Sequence, residues 1–200
     1  MGNYIPDDFE NPNPDCSFNF LLDTTAFNRL AEHEEWLLLF EHSLAKGFHY
    51  YKTANQDYEL IGQGAKTYDA DCIPRPITSE SFKEKIPAFN NIKMRLQIKR
   101  VSSMASFMRN HWILDGTYHL VDNKSAIGTM TQEILDANQK LREKHPFAQH
   151  YDAMTAEAAI YNHCILVTDD RKLRNIVNKF FPQRAVQTKD IVELIQSLLS

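Results

Sequence analysis

Two short apolar runs set the strongest limits on this chain: FNFLLD over residues 18–23 and CILVTDD over residues 164–170. Neither alternates polar with apolar residues, and both are too short for an ordinary helix. That is the pattern of a strand covered on both faces, which belongs in a mainly parallel sheet with helices packed on either side. Both runs also stop at acid, the first at Asp23 and the second at Asp169 and Asp170. Adjacent aspartates repel each other, so solvent or a cation must relieve the charge.

The segments between these runs agree with such a sheet. Residues 26–47, AFNRLAEHEEWLLLFEHSLAKG, space their apolar side chains as a helix does and end at Gly47, with Thr24 and Thr25 as caps. FHYYKT (48–53) reads as a second strand and NQDYELIGQG (55–64) as a short helix. Two more helices are expected over 125–145 and 151–164. Helix 171–181, strand 184–188 and helix 189–199 then close the chain. Strands alternating with helices predict an α/β fold with a mainly parallel sheet. Residues 1–17, rich in Asn, Asp and Pro, read as a flexible arm, and 18–200 as a single domain. Periodicity weakens from 65 to about 110, where Pro74, Pro76 and Pro87 punctuate the chain.

Composition excludes little but bounds the setting. With 43% hydrophobic residues the chain can bury a core, and its net charge of −4 is compatible with a local basic patch. Cys16, Cys72 and Cys164 are odd in number and scattered, which predicts no disulfide framework and a reducing cytoplasm. The longest apolar run, WLLLF, cannot span a membrane, and no signal peptide is recognisable. Between Lys83 and Arg109 stand seven Lys or Arg against one Glu. A solvated face is the plain reading of that stretch, and phosphate contact is the sharper one. The eight histidines show no ligand spacing, and Gly62 and Gly64 do not form a phosphate loop.

In open parallel sheets, ligands bind beyond the carboxyl ends of the strands. Asp23, Asp169 and Asp170 are delivered to that edge, and Glu59, after the second strand, can join them. Asp152, at the start of the helix that leads into the later strand, depends on topology. Such acids suit a hard divalent cation, Mg²⁺ or Mn²⁺, able to activate water for attack on a phosphate. The plainer readings are a turn or cap at Asp23, a helix N-cap at Asp152, and a cap at Asp169 or Asp170.

FLLDTTAF, YYKTANQDYEL and YDAMTAEAAIYNHCILVTDDRKLR together resemble the PIN-domain family of metal-dependent ribonucleases, over roughly half the chain. The resemblance implies a PIN-like three-layer α/β/α sandwich on a mainly parallel sheet. It implies catalytic acids at Asp23, Glu59, Asp152 and Asp170, metal held by Asp23, Asp152, Asp169 and Asp170, and support from Thr24 and Thr168. It further implies Mg²⁺ or Mn²⁺ as cofactor and cleavage of RNA, often as the toxin of a toxin–antitoxin pair. A cognate antitoxin and a homo-oligomer are therefore expected partners. The 92 residues between Glu59 and Asp152 exceed what compact members need, which predicts an insertion over 65–125. That insertion would carry the phosphate contacts expected of Lys93, Arg95, Lys99 and Arg100. The rival reading is a PIN-like module that binds RNA or protein without turnover. An aspartyl phosphatase is disfavoured, because Thr25 stands where that chemistry wants a second acid.

Overall fold

The computed structural model describes residues 8–54, 56, 67–68, 74–75, 80–105, 118–120, 124–137 and 150–199. Within them, β1 (Asn19–Leu22), β2 (His49–Lys52), β5 (Lys99–Arg100), β8 (Ile165–Val167) and β9 (Ala185–Val186) form one sheet in the order β5-β2-β1-β8-β9. Every pairing in it is parallel. Two further pairs stand apart. β3 (Thr67–Tyr68) and β4 (Pro74–Arg75) are antiparallel, whereas β6 (Ser103–Ala105) and β7 (Tyr118–Leu120) are parallel.

Helices cover both faces, as buried strands require. Phe20, Leu22 and Val167 point to one side, where they meet α1 (Thr24–Glu32), α2 (Glu34–Ser43), α3 (Glu80–Arg95) and α7 (Thr188–Leu199) through Phe27, Phe40, Phe89 and Ile191. Leu21 and Leu166 point to the other side, against α4 (Ala126–Asp136), α5 (His150–Tyr161) and α6 (Arg171–Phe180) through Met130, Ala156 and Val177. Side chains alternating between two apolar clusters explain why β1 and β8 are continuously hydrophobic. Burying each such side chain stabilises by roughly 1.5–3 kcal/mol. The α/β arrangement on a parallel sheet is thus as the sequence predicts.

Three features differ from the sequence reading. The helix expected over 26–47 is two, because His33 leaves helical geometry at φ −130° and ψ 87°. Its carbonyl accepts from Trp36 and Leu37, and its ring stacks on Trp36 at 4.5 Å, so the break is itself well held. Gly47 does end the following turn, with φ 80°. Second, residues 8–10 do not behave as an arm. Arg100 donates its backbone N–H to the Asp8 carbonyl at 2.7 Å, and Glu10 donates to the Arg100 carbonyl at 2.8 Å, which extends the sheet past β5. Third, the described stretch 80–101, inside the region where an insertion is expected, contributes to the core. α3 and β5 lie inside 65–125, and Phe89, Ile92, Leu96, Ile98 and Val101 are buried.

Among the described residues no helix is long and apolar enough to cross a membrane.

Candidate functional site

The strand order places one position apart from the rest. From β1 the chain moves outward to β2 and β5, while from β8 it moves the opposite way to β9. β1 and β8 are neighbours, so the reversal falls between them, where open α/β sheets form a crevice at their carboxyl ends. Leu22 pairs with Val167, and the ladder continues as Asp23 donates its N–H to the Val167 carbonyl at 2.9 Å. Asp23 and Thr168 therefore stand side by side at the mouth of that crevice.

Asp23 is 4% exposed. Its Oδ2 accepts from Thr168 Oγ1 at 2.8 Å and from Thr25 Oγ1 at 2.9 Å. Burial pushes the carboxyl pKa up, against the opposing pull of those hydroxyls and of the Thr24 and Thr25 backbone N–H groups. Those amides lie near the carboxylate without a well-aligned capping bond to it. Among the described residues, no Lys, Arg or His forms an ion pair with Asp23. Taking a carboxylate out of water without a cation is costly.

The loop after β8 is tied to the same point. Asp169 donates its N–H to Thr25 Oγ1 at 3.0 Å, and Asp170 donates to Thr168 Oγ1 at 3.2 Å. The two aspartates then diverge. Asp170 caps α6, accepting from the N–H groups of Lys172 at 2.7 Å and Leu173 at 3.0 Å, where the helix dipole favours negative charge. Asp169 Oδ2 accepts instead from the buried Thr188 Oγ1 at 2.8 Å, with Arg29 Nε 3.9 Å away. Arg174 donates to the Thr168 carbonyl at 3.0 Å and braces the turn from the far side.

On the other flank, Gln56 fills the gap where β1 and β2 separate. Its Nε2 donates to the Leu22 carbonyl, while its Oε1 accepts from the Thr53 N–H at 2.7 Å. Both Thr53 and Gln56 are fully buried. Gln56 itself is thereby fixed beside β1, and Glu59 lies outside the described residues. Asp152 sits half-buried in the first turn of α5. That helix leads by a tight turn at His163 (φ 56°) into the amino end of β8. Its twelve residues span about 18 Å back along the sheet, so its first turn lies toward the carboxyl edge. Among the described residues no three His, Cys, Asp or Glu side chains come together as a metal-holding group.

A hydroxyl that holds Asp23 alongside that of Thr168 belongs to Thr25, which the sequence reading did not name as a site residue, and Thr24 adds its backbone N–H nearby. An Asp-x-Thr spacing at a strand-to-helix turn, which lets the hydroxyl fold back, is the signal that could have found it. Thr188 was likewise missed, because nothing in its sequence ties it to Asp169. The residues expected to contact phosphate occupy two adjoining places, the end of α3 and β5. Lys93 and Arg95 close the helix that enters β5 at its amino end, away from Asp23. Arg95 is taken up by Glu34 at 2.6 Å and Glu41 at 2.7 Å, and Arg100 Nε lies 3.5 Å from Asp8. Lys99 is exposed on β5.

Comparison with known proteins adds no relative: no protein-family model matches the sequence, and no curated protein matches it either. The functional reading therefore rests on the site.

Proposed function

We propose that this chain is a PIN-like, metal-dependent endoribonuclease. The observation that carries the reading is Asp23: a buried carboxylate at the point where strand order reverses, fixed by two hydroxyls and lacking a cationic partner among the described residues. A buried negative charge so placed is relieved either by a proton or by a cation from outside.

The donor set is all oxygen, which fits Mg²⁺ or Mn²⁺. Asp23, Asp152, Asp169 and Asp170 would hold the ion, with Glu59 as a further catalytic acid, and binding would have to draw these carboxylates together, because among the described residues no three of them meet. When bound, such an ion supplies a water of lowered pKa and offsets charge on the phosphate. The chain's own part is positioning. Thr168 and Thr25 lock the rotamer of Asp23, and Thr25 and Thr168 fix the backbone of Asp169 and Asp170. The cap bonds hold the Asp170 carboxylate at the helix start. Groups held this way lose little freedom when substrate arrives, which is where oriented sites gain rate. A role as toxin with a cognate antitoxin, acting in the cytoplasm as a homo-oligomer, belongs to the same reading.

The test is to incubate purified protein with pools of tRNA, rRNA and mRNA, with and without Mn²⁺, beside folded Asp23→Asn and Asp152→Asn variants. Cleavage should need the ion and vanish in both variants. Wild-type rates in either variant would refute the assignment. RNA binding indifferent to Mg²⁺ and to Asp23→Asn, without cleavage, would favour the non-catalytic module instead.

A further inference from the structure

Lys93 and Arg95 end α3, and Lys99 and Arg100 lie on β5, two strands from β1, which leaves open what would grip a phosphate beside Asp23. The geometry points to Arg29 as the residue that holds the RNA backbone at this site, an inference that rests on the ribonuclease reading for its substrate class. Thr25 and Arg29 are four residues apart on α1, so they share one helix face. Thr25 donates to Asp23 at 2.9 Å and accepts from the Asp169 N–H at 3.0 Å. One turn further on, Arg29 Nε lies 3.9 Å from Asp169 Oδ2. Two residues therefore link the guanidinium to the buried acid: Asp169, whose carboxylate faces Arg29 and whose N–H meets Thr25, and Thr25, whose hydroxyl meets Asp23.

Arg29 has the exposure that the role needs. Its side chain is 51% exposed, and among the described residues its other ion pair is a surface one with Glu32 at 3.4 Å. Exposed pairs of that kind contribute little, so the guanidinium gives up little when a phosphate replaces the glutamate. Guanidinium presents paired donors that match phosphate oxygens, and it stays charged at any working pH. Asp169 supplies the orientation. Thr188 pins its Oδ2 at 2.8 Å, and that oxygen is the one facing Arg29. This also accounts for the paired aspartates: Asp170 caps α6, while Asp169 aims a cation across the mouth of the crevice.

Anisotropy titration of a labelled single-stranded RNA oligonucleotide tests this. Every arm is measured in chelator and in an Asp23→Asn background, so that no cleavage intrudes. Arg29→Gln should weaken binding several-fold and lower the slope of log affinity against log salt by about 0.7, the signature of one lost contact to single-stranded RNA. Arg29→Lys should keep the slope, and Lys99→Gln should leave both quantities unchanged. Melting curves verify that each variant is folded. An Arg29→Gln slope equal to the parent's, or a larger loss in Lys99→Gln, overturns the inference while leaving ribonuclease activity untouched. No RNA binding in the parent overturns the substrate class, and this inference with it.

Discussion

The carboxyl ends of β1 and β2 each bury a charge, and the protein treats the two in opposite ways. Lys52, at the end of β2, is 3% exposed and has Asp8 at 3.3 Å. Asp23, just past β1, is 4% exposed and has hydroxyls for company. A charge that the chain answers with its own counter-ion serves the fold. A buried charge that meets only neutral dipoles among the described residues raises the energy of the resting protein, and a cation from solution would lower it. The contrast separates a structural ion pair from a candidate chemical site without reference to any relative.

The comparison is sharpest when each charge is disturbed in turn. Asp8→Ala leaves Lys52 without that carboxylate and should destabilise by roughly 1–3 kcal/mol in urea unfolding, less at high salt because Asp8 is partly exposed. Asp23→Asn should act with the opposite sign, raising the metal-free melting temperature by roughly 2–4 °C for each 1 kcal/mol of buried charge relieved. Burial holds the folded-state pKa of Asp23 above the ordinary carboxylate range, so the folded chain binds this proton more tightly than the unfolded chain does. Wild-type stability from this group therefore falls as pH rises through that interval, and the cost persists above it. The advantage of Asp23→Asn should be full above the raised pKa and fade on acidification toward the ordinary range. A chelator-treated Asp23→Asn protein that melts no higher than wild type at any pH above the ordinary carboxylate range would break the contrast. The smallest effect is expected from Thr25→Val, roughly 0.5–1.5 kcal/mol, with the Asp23 pKa moving further up as a stabilising donor is lost. NMR titration of the Asp23 carboxyl carbon would read that shift.

Much of this architecture is written in local pattern, and the exceptions have physical causes. β1 and β8 were legible because residues buried on both faces must be apolar without alternation, and Gly47 was legible because a left-handed stop favours glycine. α3 was not, since Pro87 lies inside it and reads as a breaker. Phe89, Ile92 and Leu96 nevertheless keep helical spacing, and tertiary burial outweighs the local penalty. β5 escaped notice because its two residues, Lys99 and Arg100, carry no strand signature and are held by pairing with β2. At the site, Asp23, Thr168, Asp169 and Asp170 could be named because the strands that bear them could. What each does could not be read in advance. The division of labour between Asp169 and Asp170 depends on Thr25, more than 140 positions away, and on Thr188 at the start of another helix.

The backbone bonds between Arg100 and residues 8–10 carry a practical consequence for handling the protein. They satisfy outward-facing amide and carbonyl groups of β5, which would otherwise be the raw margin of the sheet. Trimming the chain back to Asn11 would strip that cover. The shortened protein would offer neighbouring copies a template for strand addition, and aggregation would follow from the cut.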